Sequence, residues 1–355
     1  MAPEYSRLTP ILPRTGLAPL LASLDIPGAI EFPDGTLHPI GSGQSTFRVI
    51  FRSEKALRTP MTELSISEAF VRGDIDVEGD LGVLFEARER IQDKMPLRQK
   101  IQFLYDFART STKMNAKAVG DHYSRGDDFY LTFIDKRFRF YSHGLFQKPD
   151  ETIEEASEHK LESMYQGLGL KPGMRLLDIG GGWGGVTEYC GARGVHVTTL
   201  TIAKDSHKFA RSVWKVLKPG GRLYLDGSAA VEKFAVSSFT RDYVWRGTHT
   251  FMTLQDVLAE LLYHGFEIVD VARETRDYEL TMLEWAKRLD AAKEEIIAGW
   301  GVETYRVFRL FLWGGTHAFK TNSLQAYHLI AERTSSTGPR PSIARRLTQF
   351  VGNLR

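Results

Sequence analysis

The chain has 355 residues and a formal net charge of +2, with 42% hydrophobic and 25% charged residues, an ordinary composition for a globular protein. This near-neutral charge argues against a nucleic-acid-binding protein, which needs a clustered basic surface. Cys190 is the only cysteine, which excludes an internal disulfide and a cysteine-rich zinc site. No apolar run reaches the roughly 18 residues of a membrane-spanning helix. We therefore expect a soluble cytoplasmic protein and leave peripheral membrane contact open.

The first 110 residues predict a small N-terminal α+β region. Short helices are expected at residues 17–24, 66–71 and 81–87, and alternating apolar residues predict a strand at 47–51. The acidic segment 73–80 lacks the spacing of a calcium loop, so we expect it to be a surface turn. A basic amphipathic stretch at residues 94–115 predicts a helix that links this region to the next.

The middle of the chain predicts a strand–helix–strand unit with a glycine-rich first turn. Thr152 and Glu155 fit a capping box and predict a helix that ends near Gly167. The apolar segment 174–179 predicts a strand, which runs into the glycines of residues 180–185. A helix at 186–192 and a second strand at 195–201 are expected to follow.

The glycine-rich turn has two interpretations. It is either a tight strand–helix connection or a place where a ligand approaches the backbone closely. Asp178, just before the glycines, disfavours a phosphate and favours a cationic or hydroxyl-bearing ligand. A D-x-G-x-G-x-G segment in this place is typical of methyltransferases that hold the methionine end of S-adenosylmethionine.

The remaining segments complete an α/β pattern. Strands are expected at 222–226 and 266–271, and helices at 254–264, 284–297 and 304–332. The order of strand, glycine turn, helix and strand predicts a Rossmann-like α/β domain over residues 111–355. The helices from about residue 280 onward are expected to form a cap on that domain.

Three motifs in this order carry a resemblance to a known family. They are H-Y-S-R-G-D-D-F-Y at 122–130, F-Y-S-H-G-L-F at 140–146 and L-D-I-G-G-G-W-G-G at 177–185. Together they resemble the cyclopropane-fatty-acid synthase family, which includes the mycolic acid cyclopropane synthases. Weaker matches, among them an expected strand at 242–244, extend the resemblance from about residue 47 to 333.

The resemblance implies a class I methyltransferase that uses S-adenosylmethionine on an unsaturated fatty-acyl or other lipid-like substrate. In the family, the alkene attacks the sulfonium methyl group, and a base then removes a proton to close the ring. The positions that match the cofactor contacts of the family are Tyr141, Ser142, Asp178, Gly180, Gly182, Trp183 and Thr201.

The chain departs from the family at its anion site. Family members hold a bicarbonate with Cys, Glu, His and Tyr groups, but here His143 stands at the Cys position, Asp277 at the His position and Phe311 near the Tyr position. Asp277 would repel an anion. Because histidine titrates near neutrality, His143 is the candidate catalytic base, and its alternative interpretation is a structural buried histidine.

The chain is also short between Thr201 and Lys218, where it has room for a single helix. A full methyltransferase fold has two more βα units here, and each βαβ unit needs about 30 residues. Those units normally supply the adenine-binding acid and the catalytic Glu. We therefore expect a Rossmann-like class I methyltransferase sheet that is shortened by two βα units. Either its strand order is altered, or the chain comes from a deletion or a mis-assembled gene.

Three functions follow from these features. The leading one is an S-adenosylmethionine-dependent methyltransferase that performs cyclopropanation or C-methylation. The second is a catalytically impaired family member that binds an acyl ligand or a partner, which the missing Glu supports. The third, a nicotinamide-dependent oxidoreductase, is disfavoured because no acid follows the second strand at Thr201-Ile202-Ala203, where a ribose partner would lie.

Overall fold

The computed structural model describes residues 17–23, 26–79, 81–85, 125–200, 206–231, 237–245 and 252–334. The chain divides into two compact units. The first comprises Met1–Phe133, Val236–His249 and Met282–Ala318, and the second comprises Ile134–Ala235, Thr250–Thr281 and Phe319–Arg355. The basic stretch expected to be helical at 94–115 lies outside the described residues.

The elements in chain order are α1 (Leu17–Ala22), β1 (Gly28–Glu31), β2 (Leu37–Ile40), β3 (Phe47–Phe51), α2 (Glu54–Leu57), α3 (Glu63–Arg72), β4 (Ile75–Gly79), α4 (Gly82–Phe85), α5 (Asp127–Leu131), α6 (Ile153–Gly167), β5 (Arg175–Ile179), α7 (Gly185–Gly191), β6 (His196–Leu200), α8 (Ser206–Val216), β7 (Arg222–Ala230), α9 (Leu254–His264), β8 (Phe266–Arg273), α10 (Thr275–Ala291), α11 (Lys293–Trp300), α12 (Val302–Lys320) and β9 (Leu324–Arg333).

The first unit contains a mixed sheet in the order β2-β1-β3-β4. Strand β1 is antiparallel to β2 and parallel to β3, and β4 is antiparallel to β3. The prediction of a surface turn at residues 73–80 is wrong, because β4 lies within it. Ile75 and Val77 are buried, whereas Asp76 between them is half-buried and pairs with Arg306, and Glu78 is exposed, as expected for a strand with one face on the core.

Helices α11 and most of α10 and α12 belong to the first unit. Asp290 joins α10 to α12, because its carboxylate accepts hydrogen bonds from Tyr305, Arg309 and Trp313 at 2.8–3.0 Å. The residues from about 280 to 320 are thus helical, as predicted. The division of the chain into two domains at about residue 110 stays a prediction.

The second unit contains the predicted βαβ unit. Strands β5 and β6 are parallel and α7 connects them. Their apolar side chains pack with helix α6 around buried Leu161, Tyr189 and Cys190. The predicted capping box is confirmed: Thr152 accepts from the Glu155 amide, and the Glu155 carboxylate accepts from the Thr152 amide.

A separate antiparallel sheet in the order β7-β9-β8 completes the second unit. The prediction of a helix through residue 332 is wrong from residue 321 onward, because the helix ends at Lys320 and β9 pairs along one edge with β7 and along the other with β8. These two ladders satisfy the backbone polar groups of β9 on both sides, so the strand outcompetes local helix propensity. The strand expected at 242–244 is also wrong, since Thr240–Val244 forms one wide helical turn closed by the Trp245 amide on the Thr240 carbonyl.

The short connection between β6 and β7 leaves side chains of β5 and β6 exposed in the second unit. Between β6 and β7, helix α8 is the element that the described residues form, and β5 and β7 belong to separate sheets. Parallel strands are normally covered on both faces, yet Leu177 of β5 is 40% exposed and Leu200 of β6 is 50% exposed. This exposure is what the loss of two covering βα units would produce. No helix in the described part of the chain is long and apolar enough to cross a membrane.

Candidate active site

The glycine turn after β5 is open to a ligand. Gly180, Gly182 and Gly184 have φ values of +88°, +48° and +85°, the left-handed region that favours glycine. A Cβ atom built on any of these three residues would meet no other atom within 4 Å. Packing therefore does not demand the glycines. The turn conformation requires them, and it leaves free space beside the backbone.

Asp178, the last but one residue of β5, faces this turn with an unsatisfied oxygen. Its Oδ2 atom is buried without a hydrogen-bond partner among the described residues. Burial raises the pKa of Asp178, and the negative charge of Asp226 raises it further. A buried, unpartnered carboxylate beside a second carboxylate is stabilised by a cationic ligand. The ammonium and sulfonium groups of S-adenosylmethionine have that charge, so the residues present fit this cofactor.

Lys160 of α6 links β7 to the segment that follows Tyr141. Its ammonium group donates to Ser142 Oγ at 2.7 Å and forms an ion pair with Asp226 of β7. Burial would raise the pKa of Asp226, but the charge and hydrogen bond of Lys160, together with the nearby His143 and His328, outweigh burial and lower it. Asp226 is therefore ionised beside Asp178.

His143 and Glu274 form a buried pair next to Ser142. His143 Nε2 lies 2.6 Å from Glu274 Oε2, with side-chain exposures of 0% and 4%. Tyr278 stacks on the imidazole at 4.8 Å between ring centroids. Burial would raise the pKa of Glu274, but its hydrogen bonds to His143 and His328 outweigh burial and lower it to about 2. Glu274 is thus a fixed negative charge that orients the ring of His143.

The second ring nitrogen of His143, Nδ1, is not engaged by Glu274. Because an ionised carboxylate only accepts hydrogen bonds, the proton on the neutral ring belongs on Nε2 and the lone pair on Nδ1. Nδ1 is buried and has no hydrogen-bond partner in the part of the chain that the structure describes. A histidine whose tautomer is fixed by a carboxylate, with the opposite nitrogen unengaged, has the arrangement of a general base.

The structure brings three of the sequence-predicted site positions together, namely Ser142, His143 and Asp178, through Lys160 and Asp226. Gly180 and Gly182 follow Asp178 in the open turn. Tyr141 and Trp183 are half-buried, and the Trp183 carbonyl accepts a 3.4 Å hydrogen bond from Arg139. Thr201 lies outside the described residues.

The positions expected to alter the anion site have local structural roles. Asp277 accepts a 2.8 Å hydrogen bond from the Phe146 amide, and burial raises its pKa. Phe311 lies in α12 and packs edge-on against Phe308 in the first unit. Among the described residues, no group of three or more His, Cys, Asp or Glu side chains is arranged to hold a metal ion.

Sequence reasoning missed Lys160, Asp226, Glu274 and His328. Glu274 carried a usable signal, since it is an acid that follows directly after a strand in an α/β pattern, where functional residues collect. His328 carried none, because its segment was predicted to be helical. Its burial follows from β9 being the central strand of its sheet, where residues 328–331 are all buried.

Comparison with protein-family models gives two matches. Residues 110–217 and 207–329 match the model described as mycolic acid cyclopropane synthetase, and residues 19–99 match a domain of unknown function. The first match is in two segments that meet at 207–217, within the stretch where the sequence predicts the missing βα units.

Related proteins and solved structures include methyltransferases and cyclopropane synthases. A probable fatty acid methyltransferase from Pseudomonas putida is 23% identical, covering 91% of this chain and 96% of the relative. A sphingolipid C9-methyltransferase from Candida albicans is also 23% identical, over 63% of this chain and 56% of the relative. A cyclopropane synthase from Mycobacterium tuberculosis superposes with a TM-score of 0.57 at 22% identity, covering 61% of this chain and 97% of the other. A coclaurine N-methyltransferase bound to N-methylheliamine and SAH superposes with a TM-score of 0.56 at 15% identity, covering 76% of this chain and 99% of the other. These likenesses confirm the predicted Rossmann-like class I methyltransferase fold.

Proposed function

Since the chain belongs to the mycolic acid cyclopropane synthetase family of S-adenosylmethionine-dependent methyltransferases, we propose that it alkylates an unsaturated fatty-acyl chain of a lipid. One chain of interactions carries this proposal. The charge of Asp226 acts on Asp178 before the glycine turn, and Asp226 is paired with Lys160. Lys160 in turn donates to Ser142, which precedes the buried His143–Glu274 pair. Asp178 and His143 thus belong to the same compact unit, where they would serve as the cation-binding carboxylate and the base. Relatives named for fatty acid and sphingolipid methylation support the class of substrate.

The methionine end of the cofactor would be held by residues that the sequence already singled out. Asp178 would accept a hydrogen bond from the ammonium group or lie against the sulfonium, and the glycine turn leaves room for either. Tyr141 and Ser142 would contribute contacts from the preceding segment. The proposed set of contacts is Tyr141, Ser142, Asp178, Gly180, Gly182, Trp183 and Thr201.

His143 would act after the cofactor, when bound, has supplied its electrophilic methyl group to the alkene. The resulting cationic acyl carbon must lose a proton, and His143 Nδ1 would accept that proton while Nε2 keeps its hydrogen bond to Glu274. Glu274 stabilises the imidazolium that forms, as a carboxylate does beside a catalytic histidine. In this chain, the fixed charge of Glu274 would take the place of the bicarbonate that the family binds.

The proposal has a specific rival, a family member that binds an acyl ligand and does not turn it over. The separate sheets and the exposed Leu177 and Leu200 favour this rival, because the missing βα units normally hold the adenine. Two experiments separate the possibilities. Calorimetry with S-adenosylmethionine and with a nicotinamide dinucleotide tests the cofactor, and only the former should bind.

The second experiment measures turnover. The protein is incubated with radiolabelled S-adenosylmethionine and vesicles of dioleoyl phosphatidylglycerol, whose acyl chains carry one double bond each. Label in the acyl fraction, and mass spectrometry that separates a ring from a methyl branch, would support the enzyme. Cofactor binding without label would support the impaired family member. Sedimentation of the protein with the same vesicles tests peripheral membrane contact.

A further inference from the structure

His328 of β9 lies between two carboxylates. Its Nδ1 atom contacts Glu274 Oε1, and its Nε2 atom lies 3.2 Å from Asp270 Oδ2. Because ionised carboxylates only accept, both ring nitrogens must donate, which requires the imidazolium form. The hydrogen bond to Glu274 accordingly raises the pKa of His328, and the bond to Asp270 raises it further.

Glu274 is therefore shared by two imidazoles. One oxygen faces His143 Nε2, and the other faces His328 Nδ1. A lone buried carboxylate would attract a proton onto His143, because an opposite charge nearby favours the charged form. A protonated His143 has no lone pair at Nδ1 and cannot act as a base. The positive charge of His328 offsets the charge of Glu274 from its far side.

We propose that His328 is a positioning residue that neutralises Glu274 and so keeps His143 unprotonated and ready to accept a proton. Asp270, whose side chain is 54% exposed, holds the His328 charge from the solvent side. The inference rests on the proposed role of His143 as the base. It assigns a reason for a buried histidine that does not touch the glycine turn or the cofactor contacts.

The other charged and titratable groups near the two imidazoles leave this balance in place. Lys160 and Asp226 are paired with each other, so the Lys160 ammonium offsets the effect of the Asp226 carboxylate on the two imidazoles. Burial raises the pKa of Asp277 and of Tyr224, and the Asp277 carboxylate is already satisfied by the Phe146 amide. The groups that face the cluster are Lys160, Tyr224, Asp226, Asp277 and Tyr278.

Nuclear magnetic resonance of the imidazole nitrogens tests the proposal without any substrate. In His328→Gln, which keeps hydrogen-bonding capacity but removes the charge, we expect His143 to take up its proton at a pH about one unit or more above that of the wild type. In Asp270→Asn we expect a smaller shift in the same direction, because an exposed carboxylate is screened by water. Tyr224→Phe, which keeps the ring stacked on His328, is the matched control and should leave the titration of His143 unchanged.

The outcomes are separable from those of the proposed function. An unchanged His143 titration in folded His328→Gln and Asp270→Asn proteins would overturn the proposal, and Asp270→Asn serves even if the buried substitution does not fold. A shifted titration without methyl transfer by the wild type would support the charge coupling and refute the enzyme. Where methyl transfer occurs, we expect the acidic limb of its pH profile to move upward in His328→Gln with an unchanged KM for S-adenosylmethionine. Raising the pH should then restore the rate.

Discussion

His143 Nε2 and Glu274 Oε2 lie 2.6 Å apart although 131 positions separate the two residues in the chain. The segment after Tyr141 brings the histidine, and the end of β8 brings the carboxylate. Their meeting gives this chain a histidine–carboxylate pair where the family resemblance implies a bound anion.

The first prediction concerns the base. His143→Gln should lower methyl transfer to dioleoyl phosphatidylglycerol vesicles by about 10²- to 10⁴-fold, the range that general acid–base catalysis contributes. Cofactor affinity measured by calorimetry should stay unchanged, because Asp178 and the glycine turn remain. His264→Gln replaces another buried histidine of the second unit and should retain the wild-type rate. Wild-type turnover by His143→Gln across the pH range would leave His143 with a structural role only.

The second prediction concerns the glycine turn. Gly182→Val should abolish S-adenosylmethionine binding, because the new side chain enters the open space that the methionine moiety needs. The substitution also costs about 1–2 kcal/mol in backbone strain at φ +48°. Gly169→Val is the matched control, since Gly169 has φ +61° and open surroundings in the turn before β5. It should lose similar stability and still bind the cofactor. Equal affinities for the two variants would place the cofactor elsewhere.

The third prediction concerns the missing βα units. Without an adenine-binding acid, the cofactor should be held mainly through its methionine end. Each lost charged hydrogen bond weakens binding by about 1.5–3 kcal/mol, so two losses lower affinity roughly a hundredfold or more. Calorimetry can compare S-adenosylmethionine with S-methylmethionine, a sulfonium that has no adenosine. We expect a smaller difference between them here than in the Pseudomonas putida relative, and an equal difference would show that other residues bind the adenine.

The fourth prediction concerns acid stability. Because the pKa of Glu274 falls from 4.5 to about 2 on folding, the ionised carboxylate stabilises the fold above pH 4.5. That stabilisation is lost as the pH falls toward 2. Its size is about 3 kcal/mol, at roughly 1.4 kcal/mol per pKa unit. Chemical unfolding at a series of pH values should show the wild type losing this much more than Glu274→Gln between pH 5 and 2. If the unfolding free energies of the two proteins fell in parallel with pH, the predicted contribution of Glu274 would be contradicted.

Much of the second unit was readable from the sequence because the signals are local. The capping box at Thr152, the glycines after β5 and the apolar strand β5 each depend on neighbours a few residues away. The motif that contains Asp178 and the family resemblance likewise needed only short segments. The shortened connection between Thr201 and Lys218 could be found by counting residues.

Tertiary structure decided what local signals could not. Strand β9 forms because β7 and β8 supply hydrogen bonds along both of its edges. The helical propensity of its own residues contains no information about these distant partners. Only that pairing puts His328 beside Glu274, and only the packing of separate segments puts Glu274 beside His143. The sequence by itself thus determined the family, the glycine turn after β5 and the candidate histidine. The charges that govern this histidine depend on long-range contacts, because electrostatic interactions act through space and not along the chain.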